Sequence, residues 1–282
     1  MKIDKISVIG TGTMGSGIVQ ALAQAGRKVT MKSRSAESNA RAMGKITKSL
    51  SRLVEKGKMT QEAIDSVIGN ITPVTDYAAI AGSDLIIEAA VESMELKIEL
   101  FKTLDGIIRP ETILATNTSS LSITEIASCI SHPSNLIGMH FFNPAPVMKL
   151  VEVIKGQKTS DEVAEAVFSL CKEIGKTPVA VNEAPGFVVN RILIPMVNEA
   201  AGILADGVAS KEDIDEAMKL GANHPMGPLA LADLIGLDVC LAIMEVLHKE
   251  FGDDKYRPHP LLRKMVRANL LGRKTGEGFY KY

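Results

Sequence analysis

The first strand-like run of the chain ends in glycines and turns at once into a helix: Lys5-Ile6-Ser7-Val8-Ile9-Gly10-Thr11-Gly12-Thr13-Met14-Gly15-Ser16-Gly17. Ile6, Val8 and Ile9 form a buried strand, and Ile18, Val19, Leu22 and Ala25 give the following helix one apolar face. Between them Gly10 permits a tight turn, Gly12 lets a diphosphate approach the backbone, and Gly15 lets the helix pack closely on the strand. Thr13 and Met14 open the helix, whose first amides and positive dipole end point at whatever anion lies on the glycines. Glycine turns are common and many hold nothing. What narrows this one is a strand before, a helix after and a second apolar strand at Val29 to Met31, the βαβ spacing of a dinucleotide site.

The 282 residues suggest about two domains, and a hydrophobic content of 46% suffices for a core in each. A net charge of −1 gives no global electrostatic case for nucleic acid or an anionic membrane as partner, so any anion site is local. Cys129, Cys171 and Cys240 are far apart and form no C-x-x-C pair, so neither a disulfide framework nor a metal site is expected. The N-terminus runs straight into the first strand, and no run approaches the roughly 18 apolar residues of a membrane span. A protein of the reducing cytoplasm is the expectation.

A helix is expected from about Ala36 to Lys56, with Lys45, Lys48, Arg52 and Lys56 on one face. Spacing alone leaves two readings open, a solvated surface or a clamp for a multiply phosphorylated ligand. Downstream, apolar strands repeatedly end in polar groups. The run 83–90 leads to a loop carrying Glu92 and to a helix opened by Lys97; Thr112 to Thr116 leads to Asn117-Thr118-Ser119-Ser120; Leu136 to His140 leads to Phe141-Phe142-Asn143-Pro144. In an open parallel sheet such ends line the ligand crevice. Leu150-Val151-Glu152-Val153-Ile154 sets a lone carboxylate in an apolar strand, where an unpaired charge is costly. His140 is its natural partner: a carboxylate on one ring nitrogen fixes the tautomer and leaves the other nitrogen for chemistry. The pattern leaves equally open a solvent-facing Glu152 and a core His140.

At Glu183-Ala184-Pro185-Gly186 strand signals give way to helical ones. Helices are expected over Phe187 to Ala205, from Lys211 onward with Ser210 as cap and Asp213 at its third position, and over Leu229 to Phe251. The expected division is residues 1–184 for the dinucleotide-binding domain and 185–282 for a helical one, small and apolar enough to need the first domain and a second copy of itself as partners.

Several stretches together resemble the short-chain L-3-hydroxyacyl-CoA dehydrogenases, including the bacterial 3-hydroxybutyryl-CoA enzymes. They are Asn117 to Leu121, His140-Phe141-Phe142-Asn143-Pro144, Lys149 to Val153, Pro185 to Arg191, Gly221 to Pro228 and Gly272 to Tyr280. The resemblance spans essentially the whole chain. It implies an α/β Rossmann-like N-terminal domain with a mostly parallel sheet, an all-α C-terminal dimerisation domain, and reversible hydride transfer between a nicotinamide cofactor and C3 of a short acyl-CoA. By the same resemblance His140 is the acid/base, Glu152 orients it, and Ser119 and Asn190 bind the reacting oxygen. The turn residues Gly10, Gly12, Thr13, Met14 and Gly15, with Glu92, Lys97, Asn117, Asn143 and Lys274, match cofactor positions; Ser49, Arg52 and Lys56 match the coenzyme A side, together with Ser119. The basic stripe then becomes a phosphate clamp, with Lys56 its strongest member and Lys45 its weakest. A dehydrogenase of a non-CoA hydroxy acid and a catalytically inactive cofactor-binding protein are the alternatives; the stripe speaks against the first, and the intact Ser119, His140, Glu152 and Asn190 set against the second.

One departure from the family pattern matters. NAD-dependent members close the second strand with an aspartate that takes the adenosine ribose hydroxyls, whereas Val29-Thr30-Met31-Lys32-Ser33-Arg34-Ser35 holds no acid. Ser33 and Arg34 stand where NADP(H) would place its 2′-phosphate, so NADP(H) is expected to be favoured, with NAD(H) possible.

Overall fold

The computed structural model describes residues 1–282, which divide into two compact units, Met1–Glu183 and Ala184–Tyr282. In the first, an eight-stranded sheet runs in the order β3-β2-β1-β4-β5-β6-β7-β8. Its strands are β1 (Ile6–Ile9), β2 (Val29–Lys32), β3 (Ile71–Val74), β4 (Leu85–Glu88), β5 (Ile113–Thr116), β6 (Leu136–Phe141), β7 (Leu150–Lys155) and β8 (Thr177–Asn182). All neighbours pair in parallel except β6 and β7. The helices are α1 (Thr13–Gln24), α2 (Ala36–Glu55), α3 (Gln61–Gly69), α4 (Met94–Asp105), α5 (Ile123–Ala127) and α6 (Asp161–Glu173). This is the doubly wound sheet that the glycine turn and the strand–helix alternation imply. The order reverses between β1 and β4, and the crevice lies at the carboxyl ends there.

The apolar pattern explains why these elements pack. Val8, Met31, Ile87 and Ala115 come from adjacent strands, and Ile18, Leu22, Ile46 and Leu50 from α1 and α2; all lie in one buried cluster. Each aliphatic chain so buried contributes about 1.5–3 kcal/mol relative to exposure. β3 carries Pro73, which an edge strand tolerates because one side of its backbone has no neighbour.

The second unit is helical: α7 (Val189–Ala205), α8 (Lys211–Gly221), α9 (Pro228–Ile235), α10 (Leu237–Phe251) and α11 (Pro260–Arg267), around Val197, Leu229, Met244, Leu247 and Leu262. Ser210 caps α8 as the sequence suggests, accepting the amide of Asp213 at 3.1 Å. The single helix expected over Leu229 to Phe251 is instead two. Gly236 adopts φ +105°, a conformation no α-helix contains, and the chain turns there between Ile235 and Leu237. The C-terminal segment folds back on Asp233, whose buried carboxylate accepts the amides of Phe279 (2.9 Å) and Tyr280 (2.8 Å) and the Tyr282 hydroxyl (3.1 Å).

All three cysteines are unpaired. Burial pushes the Cys171 and Cys240 thiols up to about 12, so both are inert packing groups. No helix is long and apolar enough to cross a membrane.

Candidate active site

The glycine turn fits a dinucleotide in its contacts as well as in its spacing. A Cβ on Gly10 would stand 2.3 Å from the Ala89 carbonyl oxygen, and one on Gly15 would stand 2.1 Å from that of Gly10. Packing of β1, β4 and α1 therefore requires both glycines. Gly12 is different: its φ is −70°, and a Cβ there would meet nothing within 4 Å. Nothing in the protein's own packing requires glycine at that position, and its absence of a side chain leaves the backbone of the turn open to a ligand. The helix that follows agrees. α1 begins at Thr13 and Met14 with no side chain capping its first turn, whereas Ser35, Ser93 and Ser160 cap α2, α4 and α6 with their hydroxyls. Its open amides suit a diphosphate.

At the end of β2 no carboxylate is present. Ser33 is buried; its hydroxyl donates to the Ser35 carbonyl at 2.7 Å and its amide to the Val74 carbonyl at 3.1 Å. In this conformation the Ser33 hydroxyl therefore turns inward, because the tight turn into α2 offers it a near acceptor. Lys32 is buried too, with its ammonium 3.4 Å from the centroid of the Tyr77 ring. Arg34 is the exposed cation of the stretch. Glu37, the first acid, lies in the first turn of α2, where the Ser35 hydroxyl and the local backbone amide hold its carboxyl below the usual range.

His140 and Glu152 are directly opposite residues of β6 and β7, with Nδ1 and Oε2 2.7 Å apart. Both are buried, and Phe142 tilts against the imidazole at a centroid distance of 4.5 Å. The carboxylate accepts from Nδ1, which fixes the orientation and tautomer of the ring.

A second polar cluster sits at the ends of β4 and β5. Glu92 Oε1 accepts the Thr118 hydroxyl (2.6 Å), the Ser119 amide (2.9 Å) and the Ser119 hydroxyl (3.3 Å). Its other oxygen lies 3.5 Å from the Lys97 ammonium, which also contacts buried Glu88 at 2.6 Å. Asn117 is occupied differently, its Oδ1 accepting the Phe141 amide at 2.9 Å and so tying the end of β5 to that of β6. Glu92, Lys97 and Ser119 are thus brought together. Glu88 escapes the sequence reading although it lies in the strand run 83–90; the test applied to Glu152, a lone acid in an apolar strand, would have found it.

A cavity of about 400 Å³ lies between α1, α2 and the loop after β6, lined among others by Thr13, Gln20, Lys45, Ser49, Asn143 and Pro146. It joins positions expected on the cofactor side, Thr13 and Asn143, with Ser49 from the coenzyme A side. Lys45, Lys48, Arg52 and Lys56 are all exposed, and none is in an ion pair. Neither His140 nor Ser119 lines that cavity. In the second unit Asn190 is buried in the first turn of α7, and the Lys274 ammonium pairs with the Asp238 carboxylate. No group of three or more His, Cys, Asp or Glu side chains is placed to hold a metal ion.

The chain matches two family models, "3-hydroxyacyl-CoA dehydrogenase, NAD binding domain" over residues 5–184 and "3-hydroxyacyl-CoA dehydrogenase, C-terminal domain" over 186–282. It is 62% identical to the 3-hydroxybutyryl-CoA dehydrogenase of Clostridioides difficile across 99% of both chains. It is 43% identical to the human mitochondrial hydroxyacyl-coenzyme A dehydrogenase, covering 99% of this chain and 91% of that one. Among solved structures, the (S)-3-hydroxybutyryl-CoA dehydrogenase of Ralstonia eutropha superposes with a TM-score of 0.96 at 51% identity, over 100% of this chain and 99% of that one. With both domains matched end to end and the glycine turn, the open α1 terminus and the His140–Glu152 pair in place, the chain belongs to the 3-hydroxyacyl-CoA dehydrogenase family of oxidoreductases.

Proposed function

We propose that the chain interconverts acetoacetyl-CoA and 3-hydroxybutyryl-CoA, with NADP(H) favoured over NAD(H). The observation that carries the reaction is the His140–Glu152 pair. The nicotinamide dinucleotide, when bound, supplies or accepts the hydride at C3. In reduction, protonated His140 gives its Nε2 proton to the carbonyl oxygen as charge develops there. Glu152, accepting Nδ1–H at 2.7 Å, fixes the ring and stabilises its cationic form. When substrate binds, the Ser119 hydroxyl, which donates to Glu92 Oε1 at 3.3 Å, turns its one proton to the same oxygen and so lowers the cost of the developing charge. In oxidation neutral His140 takes the hydroxyl proton and the sequence reverses.

The exposed, unpaired cations of α2 support coenzyme A as the carrier, because its diphosphate and 3′-phosphate supply anions that a simple hydroxy acid lacks. The acid-free end of β2 and exposed Arg34 support NADP(H). Initial rates with acetoacetyl-CoA and each of NADH and NADPH test both halves. The expected result is turnover with a kcat/KM ratio of about 10- to 150-fold toward NADPH, the value of one charge-assisted hydrogen bond. Absence of turnover with either cofactor would overturn the substrate; equal ratios would overturn the preference. Apolar residues exposed on the second unit, Ile192 and Leu234 among them, support a homodimer through that unit, and light scattering of the eluting protein is its test.

A further inference from the structure

Glu88 brings a charge to a position with no solvent contact: it is 0% exposed and lies in register between Ile9 of β1 and Thr116 of β5. Such a charge persists only when its lone pairs are used. Oε1 accepts the Lys97 ammonium and the Ala90 amide, both at 2.6 Å, and Oε2 accepts the Thr116 hydroxyl at 2.6 Å. Lys97 itself is 1% exposed, so its ammonium has no water to turn to and depends on the two carboxylates it touches.

Those two contacts are unequal. Lys97 is 2.6 Å from Glu88 but 3.5 Å from Glu92, so Glu88 holds the ammonium and Glu92 is left with most of its charge for the loop beyond. Glu92 uses it on the Thr118 hydroxyl and on the amide and hydroxyl of Ser119. The groups form a line from the interior of the sheet to Ser119: Glu88, Lys97, Glu92, Ser119.

We propose that Glu88 is a positioning residue for Ser119: by holding Lys97 it keeps Glu92 free to fix the loop on which Ser119 sits. The inference rests on Ser119 being a ligand of the reacting oxygen. If residue 88 were neutral, buried Lys97 would have one charged carboxylate left, that of Glu92, which is 38% exposed, and attraction would draw Glu92 inward toward the buried ammonium. Its bonds to the 118–119 loop would lengthen, and Ser119 would lose its place. A carboxylate that merely filled space and balanced charge would, on replacement, weaken folding and leave the chemistry of the folded molecules alone.

A double-mutant cycle on the full chain separates the two, using Glu88→Gln and Ser119→Ala with kcat/KM for acetoacetyl-CoA as readout. Glu88→Gln should cost about 10- to 100-fold alone and less than about 3-fold in the Ser119→Ala background, because residues acting as one unit are non-additive. Equal losses in both backgrounds would overturn the proposal. Should Glu88→Gln fail to fold, Glu88→Asp retains the charge, withdraws it by one methylene and is read in the same cycle, with the same pattern expected at smaller amplitude. If Ser119→Ala alone leaves kcat/KM unchanged, the assignment of Ser119 fails and this inference with it. A Ser119→Ala defect with multiplicative Glu88 losses overturns the inference by itself.

Discussion

His140 and Glu152 face one another across the antiparallel junction of β6 and β7, paired residue to residue with Nδ1 and Oε2 2.7 Å apart. Register makes the pair. Directly opposite residues on one face of an antiparallel ladder bring their Cβ atoms to about 4.5–5.5 Å, and a slip of one residue would send the carboxylate to the other face of the sheet. The proposed acid/base pair is therefore held by backbone hydrogen bonds on two strands, a stiffer mount than a loop.

Loss of either member should be nearly as damaging as loss of both. His140→Ala should lower kcat by about 10²- to 10⁴-fold, the usual value of general acid–base help. Glu152→Gln should lower it substantially, and the double mutant should be little worse than His140→Ala, since Glu152 acts through the ring. Steady-state kinetics on the three variants check this. Full kcat and an unchanged pH profile for Glu152→Gln would remove Glu152 from the reaction.

Gly12 and Gly15 should separate binding from folding. Ala at position 15 places a Cβ against the Gly10 carbonyl oxygen at 2.1 Å, and the variant should lose stability. Ala at position 12 meets nothing within 4 Å and has an ordinary φ, so Tm should hold while the Kd for NADPH rises at least about 10-fold as the methyl group obstructs the diphosphate. Thermal unfolding and NADPH titration of each variant give the comparison. A Gly12→Ala protein that binds NADPH normally would leave the turn without a ligand role.

The basic stripe makes a prediction about KM. Lys56→Ala should raise KM for acetoacetyl-CoA several-fold and leave KM for the cofactor unchanged. Added salt should reproduce the effect in the parent, because exposed charges are screened within about 8 Å at physiological ionic strength. For an acetoacetyl thioester lacking the nucleotide, parent and variant should be alike. An equal loss with both substrates would return the stripe to a solvated surface.

Much of this was legible from residue order. The glycine turn, the strand-to-loop alternation and Glu152 each carry a constraint that a single sequence exposes: a backbone position, a period, a charge that needs a partner. Elsewhere the signal was present but local rules could not decode it. Gly236 interrupts an apolar helical period that resumes at Leu237, so α9 and α10 read as one helix although φ +105° divides them. In β3 only Ile71 is buried and Pro73 intervenes, which removes both period and propensity. Ser33 was legible as a missing acid, but not the inward direction of its hydroxyl, which depends on a carbonyl two residues ahead.

Stability in acid should depend on Asp84. Its carboxylate accepts the amides of Lys5 (2.8 Å) and Asp4 (3.0 Å) and the Arg109 guanidinium (2.8 Å), tying the start of β4 to the N-terminal segment. Burial pushes the carboxyl up, but those N–H donors together outweigh it and hold it below the usual carboxylate range. The folded protein therefore binds this proton less readily than the unfolded chain does. Stabilisation is complete above the unfolded value of about 3.9 and disappears as pH falls through the lower folded value. Asp84→Asn should lower Tm by about 2–4 °C near neutrality, with the difference from the parent closing below about pH 4. Thermal scans of both proteins across pH would show it, and a difference independent of pH would make Asp84 a packing residue.

Cofactor selectivity should be reversible at two positions. A carboxylate at the end of β2 accepts bonds from a free ribose 2′-hydroxyl and repels a 2′-phosphate, whereas a nearby arginine does the opposite. Ser33 has no charge and Arg34 is exposed, so the repulsive element is missing and an attractive one stands beside it. Lys32 adds little directly, because its ammonium is committed to the Tyr77 ring. In Ser33→Asp with Arg34→Ile, the new carboxylate cannot donate to the Ser35 carbonyl as the serine does, so it turns outward toward the ribose, and the guanidinium is gone. The ratio of kcat/KM for NADPH to that for NADH should then fall from about 10–150 to below 1, a swing set by two charge-assisted contacts. The single change Arg34→Ile should account for part of it by weakening NADPH alone. A double mutant whose ratio matches that of the parent would show that selectivity is set elsewhere in the chain.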